Sequence, residues 1–202
     1  MGLDATKPDW QVDEASYTIE AIAGRVRSFL YEEHYAAERA VNPASVGPMG
    51  VLIAGYSAGA GLAEEWEIAI DAAGNCAPPK LVMSGNVTGI SPRGQTEAVV
   101  RLVAGFSPGL RQALIDSGVP EPEVDPFLTA LRPRVQAALL SDAMPVQDLI
   151  DLGVFLAETA AAFSRFSPGA ATIAPPIDVA AITKHEGFNW VRRKHYFDLA
   201  LN

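Results

Sequence analysis

The run Gly55-Tyr56-Ser57-Ala58-Gly59 follows the apolar stretch Val51-Leu52-Ile53-Ala54 and sets a serine midway between two glycines. Such a Gly-x-Ser-x-Gly presents a nucleophilic hydroxyl when a strand turns sharply into a helix. A serine esterase built on Ser57 needs an acid and a histidine behind it, in the order serine, acid, histidine. Asp178 followed by His185 or His195 meets that order. The same five residues read equally as a turn between two strands, with Ser57 a turn residue.

The segment after the serine separates the two readings. Glu65, Glu67 and Ala69 alternate with Trp66, Ile68 and Ile70, which is the period of a half-buried strand. Asp71-Ala72-Ala73-Gly74-Asn75 then supplies a turn, and Lys80-Leu81-Val82-Met83-Ser84 reads as a third strand after Pro78-Pro79. Three strands joined by short connections predict an antiparallel meander, whereas a nucleophile elbow belongs to a parallel sheet with crossover helices. No His-Gly-Gly-like oxyanion loop precedes Val51, and Asp178 stands close in sequence to His185 for residues on two separate loops.

Composition bounds the alternatives. The 202 residues are 49% hydrophobic and 19% charged, which suits one globular domain spanning 1–202 with a sizeable core. A formal net charge of −9 argues against nucleic acid and against an anionic membrane as partners, since both select positive surfaces. Cys76 is the sole cysteine, so an intrachain disulfide or a cysteine metal cluster is excluded and a reducing compartment is expected. The first residues carry no apolar signal core and no run nears the ~20 apolar residues of a membrane span. The expected location is the cytoplasm.

The elements that must position these residues can be placed along the chain. A helix is predicted from about Ser16 to Ala40, with Ile19, Ile22, Ala23, Val26, Phe29 and Leu30 on one stripe. The meander runs from about Met49 to Gly85. A helix follows Gly94, pauses near Gly105-Phe106-Ser107-Pro108-Gly109 and resumes through Leu110 to Ile115. Three prolines among acidic residues mark Val119 to Pro126 as a solvated loop. Phe127 to Leu140 reads as a helix broken or restarted at Pro133. Pro145 opens another, with Leu149, Leu152, Phe155, Leu156 and Phe163 as its buried stripe. Two strands, Ile177 to Thr183 and Phe188 to Arg193, flank Lys184-His185-Glu186-Gly187. The order of helices and strands predicts an α+β protein with helices layered on a sheet.

In this order the chain resembles the proteasome-type N-terminal nucleophile (Ntn) hydrolases. Val51 to Ser57 looks like that family's strand after its second helix, which often ends in Ala-Gly-Tyr or Gly-Gly-Tyr. Trp66 to Gly74 is similar to the next strand and its Asp-x-x-Gly turn. Gly89 to Leu102 resembles the loop entering the third helix, and Pro175 to Ile182 the strand after the last long helices. The resemblance implies a four-layer αββα sandwich of antiparallel sheets, here N-terminally truncated. It implies a threonine-type peptidase subunit acting on peptide or protein substrate within an oligomer of identical or related subunits, without a cofactor.

Departures from the family pattern shape the expected activity. These enzymes attack with the side chain of the first mature residue, whose α-amino group, with pKa ~8, can act as base. Removal of Met1 would expose Gly2, and nothing before Ser16 reads as the family's first strands. The chain is therefore expected to be inactive by itself. Ser91, in Gly89-Ile90-Ser91-Pro92, stands near the family's accessory serine but out of register. Ser167 matches a later serine without its Asp. A non-catalytic assembly subunit of the same fold is the alternative, and the Ser57 esterase a third reading.

Other reactive side chains have plainer explanations. His34 beside Glu32 and Glu33 suits a solvated helix face. Nothing basic adjoins Cys76 to activate its thiol. Arg192-Arg193-Lys194-His195 is a compact basic run that could meet an acidic patch on a neighbouring subunit. No cluster has metal-ligand spacing, and a metal site is not expected.

Overall fold

The computed structural model describes residues 11–85, 87–168, 173 and 176–193. Asn86, Pro175, Lys194 and His195 lie outside the described residues, as do Met1 and Gly2. The protein is of the mixed α+β kind, with small antiparallel sheets. Its chain separates into two compact units, one of residues 1–87 with 182–186, the other of 88–181 with 187–202.

In the first unit, helix α1 (Ile19–Arg27) continues through a π-helical segment (Ser28–Tyr35) into α2 (Ala36–Val41). Thr18 caps its start by accepting from Ala21 N, as a β-branched hydroxyl at an N-cap commonly does. The π segment winds with i→i+5 spacing, the Ala36 N–H donating to Tyr31 O. Strands β1 (Met49–Gly55), β2 (Glu64–Ile70) and β3 (Lys80–Met83) form the antiparallel meander in sequence order. Val51 faces Ile68 and Ile53 faces Trp66 across β1 and β2, and a register shift between Glu65 and Trp66 interrupts the β2–β3 pairing.

Period-two burial holds over the last three residues of β2, where Ile68 and Ile70 are buried and Ala69 between them is exposed, whereas Trp66 is half-buried like Glu65 and Glu67 beside it. One sheet face therefore meets the helix: Ile68, Ile70, Cys76 and Tyr35 form a cluster joined by Val26, Tyr31, Val51 and Ile53. Polar side chains of the helix also hold the β2–β3 connection. Arg27 donates to Cys76 O at 2.8 Å and Ala77 O at 3.0 Å, Tyr31 to Gly74 O at 3.1 Å, and Arg39 to Ala73 O at 3.0 Å. Within that connection Asp71 accepts from Asn75 N at 2.8 Å and from the Asn75 amide at 3.0 Å. Both bonds favour the charged form and hold the Asp71 carboxyl below its ordinary pKa.

The second unit holds α3 (Glu97–Ala104), α4 (Leu110–Asp116), α5 (Glu121–Val135) and α6 (Val146–Phe166). Val99 on α3 packs with Leu156 and Ala160 on α6, and Val103 and Leu152 extend the contact. Arg111 on α4 reaches Glu121 and Asp125 on α5, each at 3.1 Å. Val124, on α5, is fully buried.

Three expectations are corrected by these helices. The segment Val119 to Pro126 is not a loop: α5 begins at Glu121, because Pro122 falls in the first turn, where its missing N–H has no partner to lose. Pro126 and Pro133 both sit inside the same helix, which runs past Pro133 to Val135 and stops short of Leu140. On α6, Leu152 and Leu156 face α3 as expected, but Leu149, Phe155 and Phe163 are 41%, 50% and 43% exposed. Leu149 and Phe163 lie seven residues either side of Leu156 on the same face, so the 21-residue α6 carries its stripe past the eight-residue α3, while Phe155 stands off that face.

Strands β4 (Val179–Thr183) and β5 (Gly187–Arg192) make a two-stranded hairpin. Every residue of β5 is exposed. Phe188 and Trp190 meet edge to face at 5.2 Å, and the Arg193 guanidinium lies 5.4 Å over the Trp190 ring.

Truncating Ile68 to Ala is expected to destabilise the first unit by about 2–5 kcal/mol, while Ala69→Ser stays within about 0.5 kcal/mol; urea unfolding compares them. Because the folded Asp71 pKa lies below its unfolded value, its contribution is complete above the unfolded pKa and is lost as pH falls through the folded one. The midpoint of acid unfolding should therefore change in Asp71→Asn, and stability above about pH 5 should be lower than in the parent protein.

Candidate functional site

Ser57 is the second residue of the connection from β1 to β2, which leads into a strand with no helix between. Ser57 O accepts from Ala60 N at 2.9 Å, closing a turn whose third residue, Gly59, has φ +70°. That conformation suits glycine in a turn of type II.

The hydroxyl of Ser57 is engaged as donor and as acceptor. Its oxygen accepts the Ile19 N–H at 3.0 Å, one of the amides that a helix start leaves without an intrahelical acceptor. Its proton goes to Glu64 Oε1 in a short hydrogen bond. Glu64 Oε2 in turn accepts from Trp66 Nε1 at 2.7 Å. A parallel bond runs from Ala58 N to Tyr17 O at 2.9 Å. The β1–β2 connection is thereby tied to the first turn of α1.

Gly55 completes the arrangement. It is buried, and a Cβ there would stand 2.8 Å from Ile19 Cδ1. Each fixed member of the Gly-x-Ser-x-Gly run thus has a packing role: Gly55 admits Ile19, Ser57 receives its amide and Gly59 makes the turn. The pattern needs no catalytic purpose to be explained.

The partners expected for an esterase stand apart from one another. Asp178 and His185 are exposed and flank β4, one at each end. An extended strand of five residues holds its ends on the order of 15 Å apart, so the two cannot share a hydrogen bond. Among the described residues, the hydrogen-bond partners of the Ser57 hydroxyl are Ile19 N and Glu64, and neither is a histidine. Ser91 is half-buried in the loop before α3. Ser167 donates its hydroxyl to Phe163 O at 2.9 Å, as a helix end does.

Remaining candidates agree with plain structural roles. His34 is exposed in the π segment and stacks edge to face on Phe29 at 4.6 Å. The Cys76 thiol is buried and directed to the Ala77 carbonyl at 3.6 Å. Among the described residues, no group of three or more His, Cys, Asp or Glu could hold a metal ion. Among the same residues, no helix is long and apolar enough to cross a membrane.

Glu64 and Trp66 escaped the sequence reading as partners of Ser57. The available signal was weak: a carboxylate just ahead of the alternating run that begins at Glu65, two residues before an indole on the same face. On the neighbouring position, Glu65 Oε2 is shielded from water with no hydrogen-bond donor among the described residues.

With this geometry in view, the chain was compared with family models, curated proteins and solved structures, and none of the three gave a match.

Replacing Ser57 by Ala leaves the Ile19 amide and a Glu64 oxygen without their partner, and is expected to cost about 1–3 kcal/mol. The measurement is chemical denaturation of Ser57→Ala beside Ser57→Thr, which keeps the hydroxyl and should recover part of the loss.

Proposed function

We propose that this chain is a proteasome-type Ntn-hydrolase-like subunit, cytoplasmic and oligomeric, whose contribution is to the assembly and not to amide-bond cleavage. In this reading the three-stranded sheet and the helix on its inner face make one α and one β layer of a four-layer αββα sandwich. The supporting observation is the passage at Ser57 from strand to strand, with the preceding helix packed on the meander. That order of helix, strand, turn and strand is what the resemblance implies, and an esterase elbow would need a helix in place of β2.

Two further features favour a non-catalytic part. The Ser57 hydroxyl is engaged by Ile19 and Glu64, so its proton and one of its two acceptor sites serve the fold. In the second unit, α6 carries exposed Phe155, Phe163 and Phe166, the last 82% exposed. Aromatic side chains on one helix are the kind of surface that subunit contacts bury.

The test combines assembly with activity. Light scattering after size exclusion should give a mass that is a multiple of 21.4 kDa, with no turnover of fluorogenic peptide amides and no labelling by a fluorophosphonate. A monomer at micromolar concentration would remove the assembly role. Labelling that disappears in Ser57→Ala would replace this proposal with a serine esterase.

A further inference from the structure

The second unit contains a cavity of about 410 Å³ beside the C-terminal half of α6. Its floor is apolar, made by Ala161, Ile173 and Ile177, and its rim carries Glu158, Arg165 and Arg192. This volume falls in the range of small-molecule sites, which pair an apolar body with a few placed polar groups.

The two guanidinium groups at the rim are not equivalent. Arg192 is held from two sides: its Nε donates to Ile177 O at 3.1 Å, and its Nη2 lies 3.6 Å from Glu158 Oε1. The second contact is long for a charge-assisted bond, which is commonly 2.7–2.9 Å. Arg165 lies 5.4 Å from the Phe166 ring centroid and has no carboxylate partner among the described residues. Two cations and one anion leave the rim with one positive charge, in a chain whose net charge is −9. A local charge opposite to that of the whole molecule has to be maintained against the general field.

From this geometry we infer that the cavity binds a monocarboxylate with an apolar body, the carboxylate on Arg165 and the body over Ala161, Ile173 and Ile177. A guanidinium presents paired donors that match a carboxylate, and an aliphatic or large apolar side chain matches the floor. Two sources share this chemistry: a free carboxylic acid of medium chain length, and the C-terminal carboxylate of a peptide ending in a residue such as leucine. Glu158 opposes the ligand by its charge and by holding Arg192. The inference does not depend on the Ntn-like reading, because it is argued from the lining of this cavity alone.

Isothermal titration with sodium octanoate tests it on the full chain. One equivalent should bind, octan-1-ol should bind at least about tenfold more weakly, and Arg165→Gln should lose at least about tenfold in octanoate affinity. Filling the cavity with Ala162→Phe, at an exposed lining position, should abolish binding without lowering the thermal midpoint. Glu158→Gln should tighten binding several-fold, a gain that damaged folding would not produce. N-acetyl-Ala-Leu as the free acid, against its amide, distinguishes the sources: tighter binding of the free acid than of octanoate assigns the site to peptide termini, and weaker binding assigns it to free carboxylic acids. No binding at millimolar octanoate, equal binding of octanol, or an unchanged affinity in Arg165→Gln would overturn the inference.

Discussion

A single helix gathers the first unit, and it does so with charged and phenolic donors as much as with apolar contacts. Arg27, Tyr31 and Arg39, on three turns of the helix, reach the carbonyls of Ala73, Gly74, Cys76 and Ala77. Most of these carbonyls lie outside the strand ladder and near water, so the side-chain donors replace solvent and fix direction more than they relieve a buried polar group. The helix can supply those donors only if it lies along the sheet at one angle and one height. The same placement sets Tyr35 against Ile68 and Ile70. Apolar burial stabilises the contact, and the directional bonds select its geometry.

At the other end of the helix the β1–β2 connection performs the complementary task. There the helix offers donors from its backbone, and Ser57 and Tyr17 O settle the connection against its first turn. Glu64 accepts from both the hydroxyl and the Trp66 indole, placing a carboxylate near the positive end of the α1 macrodipole. A motif that invites a reading as nucleophile is here a joint between helix and sheet.

The second unit follows a different pattern. Small side chains, Ala160 and Ala161, let α6 lie close to its neighbours, and Leu152 and Leu156 fill the contact with Val99. The larger aromatic residues of α6 stay outside that contact. On a further side of the same helix, Glu158 and Arg165 rim the cavity. One helix thus presents a packed stretch, aromatic residues left exposed beyond and beside it, and a charged rim, and the functional proposals for this unit rest on the last two.

Periodicity made much of this legible. The two-residue alternation of Trp66, Ile68 and Ile70 identified β2, and with it the strand-to-strand passage at Ser57, because alternate side chains of a strand must face opposite sides. Helix boundaries near Gly105, Pro120 and Pro145 followed from residues that cannot continue or that readily begin a helix. Composition misled at Val119 to Pro126, where proline density outweighed the tolerance of a first turn for proline. The stripe on α6 was found by period, yet how much of it would be covered depends on the length and placement of the neighbouring helix, which no local pattern encodes. By itself the sequence determined the strands of the meander, the long helix after Pro145 and the apolar side of Ile68 and Ile70, since these follow from steric and hydrophobic preferences acting over a few residues. Tertiary structure alone decided that the Ser57 hydroxyl meets the Ile19 amide, 38 positions away, and that Arg165 and Arg192 border one cavity. Those outcomes depend on where separate elements come to rest, and that is set by the sum of many contacts across the fold.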